Sequence, residues 1–168
     1  MVLKCNHFDE PASSRWGSQE MTNRKNPSDE TCPVARTVDL VGDRWSLLIV
    51  RDAFDGMRRF SDFQRSLEVA RNILSDRLRR LVEAGILATQ PASDGSAYQE
   101  YVLTAKGESL FPIVLALRQW GERYLFARGE RRSQMVEKRT GKPVPVMMPR
   151  ASDGGVLSPD EAEVQKPR

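Results

Sequence analysis

Apolar residues recur at helical spacing from residue 33 to about 127, with one interruption where the period shortens to two. Pro33 stands where a helix can start, Val34, Val38 and Val41 keep its spacing, and Gly42 ends it. A second helix is predicted from about Arg44 to Phe54, with Trp45, Leu48, Ile49 and Ala53 as its buried stripe and Asp55-Gly56 as its stop. Ser61 is a good N-cap for a short third helix reaching about Leu67, anchored by Phe60 and Phe63. After a break at Glu68-Val69, a fourth helix covers about Arg71 to Ala84. Leu74, Leu78, Leu81 and Val82 form its inner stripe, and Gly85 sits at its C-cap position. The period then changes. Ile86 to Gln90 reads as a strand, Pro91 to Ser96 as a turn containing Asp-Gly, and Tyr98 to Leu103 as a second strand. Thr104 caps a long apolar helix from Ala105 to about Phe126, which Pro112 either kinks or starts late.

Two helices joined by a short turn, the second followed at once by a hairpin, make the plan of a winged helix-turn-helix. The expected fold class is therefore mainly α (α+β): a winged helix-turn-helix with a two-stranded wing and a long C-terminal dimerisation helix. It occupies residues 32–127. Residues 1–31 are rich in Asn, Ser, Pro, Asp and Glu and read as a poorly ordered leader, within which Met21 is a second candidate start. Residues 128–168 hold five prolines and read as an arm or tail with at most short strands. No internal repeat is visible.

Composition narrows the class. The chain is 39% apolar and 29% charged, as expected of a soluble globular protein. No apolar run approaches the roughly 18 residues of a membrane span, and the polar N-terminus does not read as a signal peptide. A cytoplasmic protein without membrane contact is expected. The net charge is only +3, but it is unevenly spread. From Arg58 to Arg80 there are seven arginines against three acids, Asp62, Glu68 and Asp76. Arginine suits bidentate contact with phosphate or guanine better than lysine does. Cys5, Cys32 and His7 fall short of the four spaced ligands of a closed zinc site, so no metal and no cofactor is expected.

The fourth helix carries the chemistry. With its leucines inward, it turns Asn72, Ser75, Asp76, Arg79 and Glu83 outward, flanked by Arg71 and Arg80. A major groove admits one helix, whose N-terminal half reads bases. Asn pairs with adenine, Arg with guanine, and Ser adapts to either, so Arg71, Asn72, Ser75, Asp76 and Arg79 are the base-reading candidates. Asp76 is the least comfortable of them, since it repels phosphate unless it accepts from cytosine or restrains an arginine. The same face is equally that of a solvated amphipathic helix, with Arg79–Glu83 and Asp76–Arg80 as ordinary pairs four residues apart. Arg58, Arg59, Ser61 and Arg65, around the short helix, and Arg80 are the phosphate candidates, or else plain surface charge. Arg77 lies beside the buried stripe and is expected to pair with an acid instead. The turn from Ala92 to Ala97 has no basic residue and carries Asp94. Weak wing contact is expected, or contact through the N–H groups of Gly95 and Ser96.

The last helix is apolar on too many sides for a monomer's surface. Leu110, Ile113, Val114, Leu117, Trp120 and Tyr124 make one stripe, widened by Phe111, Leu115 and Leu125. Either a partner subunit or a thick intramolecular core covers the second side. Cys32 precedes the first helix, where partial positive charge favours a thiolate. It is either a redox-sensing candidate or a small residue at a helix start.

Several blocks in order then resemble one family. Cys32-Pro-Val-Ala-Arg, Val41-Gly-Asp-Arg-Trp-Ser-Leu-Leu-Ile, Arg58-Arg-Phe-Ser-Asp-Phe and Asn72-Ile-Leu-Ser-Asp-Arg-Leu-Arg-Arg-Leu-Val-Glu-Ala-Gly-Ile-Leu are similar to the HxlR-type regulators, relatives of the MarR class. So are Tyr101-Val-Leu-Thr-Ala-Lys-Gly and Leu-Arg-Gln-Trp-Gly around Trp120. The resemblance covers about residues 32–126. It implies dimeric winged-helix repressors or activators on near-palindromic operators, with first and last helices at the subunit interface. That adds Val34 and Val38 to Phe111, Val114, Leu115 and Trp120 as dimerisation residues. In some members the cysteine matching Cys32 senses quinones, aldehydes or oxidants. Three departures stand out: Ala70 replaces the usual Ser before the recognition helix, the wing lacks its usual base, and the C-terminal extension has no Cys or His.

The expected partners are double-stranded DNA, a second copy of the chain and a small-molecule effector. The expected function is a sequence-specific DNA-binding transcriptional regulator, a repressor. The alternative is a winged-helix module that binds protein and not DNA. An enzyme is not expected, because the domain shows no histidine, no Gly-rich phosphate loop and no nucleophile–base pair.

Overall fold

The computed structural model describes residues 31–166, so the expected leader, with Met21 and Cys5, lies outside the described residues except for Thr31. Helix α1 (Pro33–Val41) starts on Cys32, whose Sγ accepts from the Ala35 N–H at 3.5 Å, and ends at Gly42. Helix α2 (Arg44–Phe54) is capped by Asp43, which accepts from the N–H groups of Trp45 and Ser46 at 3.0 and 3.1 Å. Its fully buried residues are Ser46, Ile49, Val50 and Asp52, whereas Trp45, Leu48 and Ala53 are half-buried. The expected stripe was one face; α2 packs against α3 and α4 on one side and α6 on another, so Val50 is covered too.

Helix α3 (Phe60–Leu67) begins two residues earlier than expected. Arg59 is its N-cap, without a side-chain cap, and Ser61 lies inside the first turn instead of capping it. Glu68 then adopts φ 48°, the only positive φ of a non-glycine among the described residues, and this left-handed step turns the chain into helix α4 (Arg71–Glu83). Ala70 offers α4 no side-chain cap. Phe63, Leu74 and Leu78 are fully buried with Ile49 and Val50, and Leu81, Ile86 and Leu87 close the same core.

Strands β1 (Leu87–Pro91) and β2 (Gln99–Leu103) pair antiparallel, with Leu87 opposite Leu103 and Pro91 opposite Gln99, each starting one residue later than predicted. The Tyr101 N–H donates to the Arg58 carbonyl at 2.8 Å, which ties the approach to α3 onto the outer edge of the wing.

The expected long helix is two. Helix α5 (Ala105–Glu108) is capped by Thr104, and helix α6 (Phe111–Tyr124) follows with Pro112 in its first turn. Pro112 thus marks a late start. Gly107 faces the backbone: a Cβ there would lie 2.2 Å from the Ile86 carbonyl oxygen. Beyond α6 the described residues form only isolated bridges, Val136 with Pro143 and Arg150 with Val156, and a 3-10 turn at Pro159–Glu161. This arm is held on α6 by Arg118, which donates to the Ser133 carbonyl at 2.6 Å. Gln119 also holds it, bridging the Pro145 carbonyl and the Met147 N–H at 2.9 and 2.8 Å. The whole is a mostly helical winged helix-turn-helix.

Candidate nucleic-acid interface

Helix α4 is the second helix of the helix-turn-helix, and its leucine stripe fixes which side faces out. Arg71, Asn72, Ser75, Arg79 and Arg80 are exposed there and Asp76 is half-buried. Asp76 is the hub of this face. Its carboxylate meets Arg79 at 2.7 Å, Arg80 at 3.0 Å and Arg77 at 3.3 Å. The Arg79 hydrogen bond, then the charges around it, hold the Asp76 carboxyl below its ordinary range. Arg79 also grips Glu83 at 2.7 and 3.0 Å. Asp76 thus gathers three arginines on this face while its side chain stays 35% exposed. Arg77 reaches back to Asp43 at 3.2 Å, linking α4 to the start of α2. At Asp43, burial opposes the charge, but the hydrogen bonds from Ser46 and the Trp45 N–H, together with the nearby Arg77 charge, outweigh it and lower its pKa.

The phosphate candidates are paired as well. Arg65 faces Asp62 at 3.7 Å. Arg58 and Arg59 stand 3.8 and 4.0 Å from Glu100, which is buried in the wing and accepts from the Ser93 N–H and hydroxyl at 3.3 and 3.1 Å. Burial works against the Glu100 charge, and these Ser93 bonds overcome it. Arg59 donates to Asp94 at the wing tip. The two N–H groups expected to meet phosphate are engaged in the turn itself: Ser96 donates to Asp94 at 3.0 Å and Gly95 to the Ala92 carbonyl at 3.1 Å. The Ser96 N–H closes an Asx turn and the Gly95 N–H a backbone turn, so both donors already have acceptors within the hairpin tip.

Arg71 differs. Among the described residues it is the one arginine between 58 and 80 with no carboxylate within ion-pair distance, and its guanidinium lies 5.3 Å over the Phe60 ring. It lines a cleft of about 320 Å³ with Arg59, Ser61, Gln64, Tyr98 and Gln99. Arg71 therefore looks across to the wing more than along the reading face. Gln64, Tyr98 and Gln99 were not expected there. Tyr98, an exposed aromatic at the end of a strand, was the available signal.

The profile of the HxlR-like helix-turn-helix family matches residues 40–128, over half of the chain. The chain belongs to that family. The uncharacterised HTH-type transcriptional regulator Rv3095 of Mycobacterium tuberculosis is 48% identical over 92 residues, 55% of this chain and 58% of that relative, so the chain spans little over half of its length. The Bacillus subtilis regulator YybR is 35% identical over 105 residues, 61% of this chain and 84% of YybR. Among solved structures, the candidate transcription factor PA1607 superposes with a TM-score of 0.78 at 52% identity, covering 82% of this chain and 96% of that one. The redox regulator HypR in its oxidised form superposes at 0.52 with 33% identity, covering 57% of this chain and all of HypR. Family and neighbours are transcription regulators, not enzymes.

For this HxlR-like chain, the remaining expected sites sit as follows. Val34 and Val38 are 70% and 57% exposed on α1. On α6 the exposed apolar side is Ile113, Leu117, Trp120 and Tyr124, with Phe111 at its margin in edge contact with Phe54. Val114 and Leu115, expected at a subunit face, turn inward: Val114 packs on the core, and Leu115 is buried beside the arm. The arm covers the flank of α6 that carries Arg118 and Gln119. A cleft of about 280 Å³ lies between α2, α6 and Met135, lined by Leu47, Leu48, Phe54, Phe111 and Leu117. Cys32 is half-buried and unbonded to another cysteine. No helix among the described residues is long and apolar enough to cross a membrane.

Proposed function

We propose that this chain is a sequence-specific DNA-binding transcriptional regulator, a repressor that works in the cytoplasm as a homodimer on a near-palindromic operator. The observation that carries the reading is the outward face of α4, where Asn72, Ser75 and Arg79 stand exposed on the second helix of a helix-turn-helix beside a wing. Residues 32–127 form the DNA-binding and dimerising unit, and 128–168 an arm on it. Val34 and Val38 on α1, with Ile113, Leu117 and Trp120 on α6, supply the apolar surface for the second copy, and two-fold symmetry places half-sites about one helical turn apart, or a multiple of it. The likeness to the redox regulator HypR supports Cys32 as the thiol through which an oxidant alters binding, and the apolar cleft beside α6 supports a small effector.

Selection of bound duplexes from a random pool, with and without oxidant, tests the reading. A two-fold symmetric consensus that an Asn72/Ser75/Arg79 triple alanine variant no longer enriches is the expected result. Retained enrichment by that variant refutes the reading face. One observation favours the protein-binding alternative: the arginines are largely neutralised within the chain and the wing tip is acidic. Failure of the wild-type protein to retain any duplex on a filter at low salt would decide for it.

A further inference from the structure

The Arg59–Asp94 pair joins parts of the chain 35 residues apart, the start of α3 and the tip of the wing. Both side chains are partly open to solvent, at 37% and 51% exposure. A carboxylate presents an arginine with the same forked pair of oxygens that a phosphodiester does. The rest of the neighbourhood is chemically a phosphate site. Arg71 rests on the Phe60 ring, a support that leaves its N–H groups unpaired with acid. The exposed Ser61 and Tyr98 bring a hydroxyl and a phenol to the same cleft, about 320 Å³ in volume. Glu100, buried behind Arg59 with a carboxylate oxygen 4.0 Å from its Nε, supplies a second negative charge beside the guanidinium.

We infer that Asp94 is an internal stand-in for a DNA phosphate on Arg59, and that a backbone phosphate displaces it and sits in the cleft of Arg59, Ser61, Arg71 and Tyr98. This rests on the DNA-binding reading above. The wing is the part of the molecule where a basic residue would be expected to contact DNA, and here that contact is replaced by an acid that must move. Movement is cheap, because an exposed ion pair contributes little. The turn also keeps its own closure when Asp94 lets go of Arg59, since Ser96 donates to the other carboxylate oxygen. The acid lowers affinity for any duplex that does not seat fully, and so raises the premium on a close fit at the reading helix.

The test is Asp94→Asn, which removes the charge and retains the acceptor for Ser96, compared with wild type, Arg59→Ala and the double variant. A short fluorescent duplex of mixed sequence is titrated by anisotropy across a salt series, with thermal melting to verify that each variant is folded. Asp94→Asn is expected to bind roughly threefold to tenfold more tightly, with a log K against log salt slope steeper by about one. Arg59→Ala is expected to erase that gain in the double variant. Unchanged or weaker binding by folded Asp94→Asn, while wild type binds, overturns the inference and leaves the DNA-binding reading standing: Asp94 is then a structural tie. Absence of binding by wild type at low salt overturns both.

Discussion

Gly107 is the point at which one methyl group separates the wing from the rest of the molecule. It lies in α5, immediately after the hairpin, and its Cα faces the carbonyl of Ile86, where β1 begins. A Cβ at this position would sit 2.2 Å from that oxygen and 2.9 Å from a Leu103 methyl. The oxygen is backbone and cannot rotate away, so α5 and the root of the wing must separate by about 1 Å to restore ordinary contact. That separation strains the bonds by which the Thr104 hydroxyl holds the Gly85 and Ile86 carbonyls, at 2.6 and 3.2 Å. Overpacking of this kind costs about 1–3 kcal/mol, and loss of a capping interaction adds about 1 kcal/mol. The better helix propensity of alanine returns at most about 1 kcal/mol. Gly107→Ala is therefore expected to lose about 2 kcal/mol in urea unfolding, with a melting point lower by roughly 10 °C for a domain of this size. The control is Gly85→Ala. Gly85 has φ +68° and nothing within 4 Å of its missing Cβ, so its cost is conformational alone, about 1 kcal/mol. A Gly107→Ala variant as stable as wild type, or no worse than Gly85→Ala, would refute the steric argument.

Other expectations follow from the same geometry. Leu78→Ala, at a site with no exposure, is expected to cost about 2–5 kcal/mol by denaturant titration. Asp43→Ala removes the α2 cap and is expected to cost about 1 kcal/mol. Its folded pKa lies below the ordinary value of 3.8, so its contribution is present above that pH and disappears as pH falls through the lowered value. Stability of the variant measured against pH is expected to lose that part of the acid limb. Trp120→Glu places a charge in the exposed α6 stripe, and sedimentation is expected to show a monomer; an unchanged dimer would move the interface elsewhere. Cys32→Ser is expected to abolish any effect of oxidant on DNA binding while leaving reduced binding unaltered.

The order of elements was legible because each carries a local signal strong enough to survive tertiary packing. Pro33 and Gly42 bound α1, the leucine stripe sets the roll of α4, and Asp94-Gly95 marks the hairpin turn. What was not legible depended on contacts distant in sequence. Val50 is as buried as Ile49 because two sides of α2 are covered. Ser61 looked like a cap, yet Arg59 takes that position, extended just after the Arg58 carbonyl that accepts from the Tyr101 N–H of the wing. Periodicity showed that α6 is apolar nearly all round, but not that the arm would claim Leu115 and Gln119 and leave Ile113, Leu117 and Trp120 outside. The cleft of Arg71 and Tyr98 brings together two segments that only the closed hairpin makes neighbours.

Charge is the sharpest instance. Seven arginines against three acids from 58 to 80 reads as a basic patch, but the count misses Asp43, Glu83, Asp94 and Glu100, which come from outside that stretch to meet it. Six of the seven arginines have such a partner, or Asp62 or Asp76, within 4.0 Å. Non-specific DNA affinity rises with the number of phosphates that free cations neutralise, so a face compensated in this way holds mixed-sequence DNA weakly. On the proposed DNA-binding reading, base contacts suffer less, because Asn72 and Ser75 need no charge and Arg79 is aimed by the acids that flank it. Pairing thus trades general attraction for discrimination. A regulator that must leave most of the chromosome and remain at few sites benefits from that balance, since the ratio of the two affinities sets occupancy.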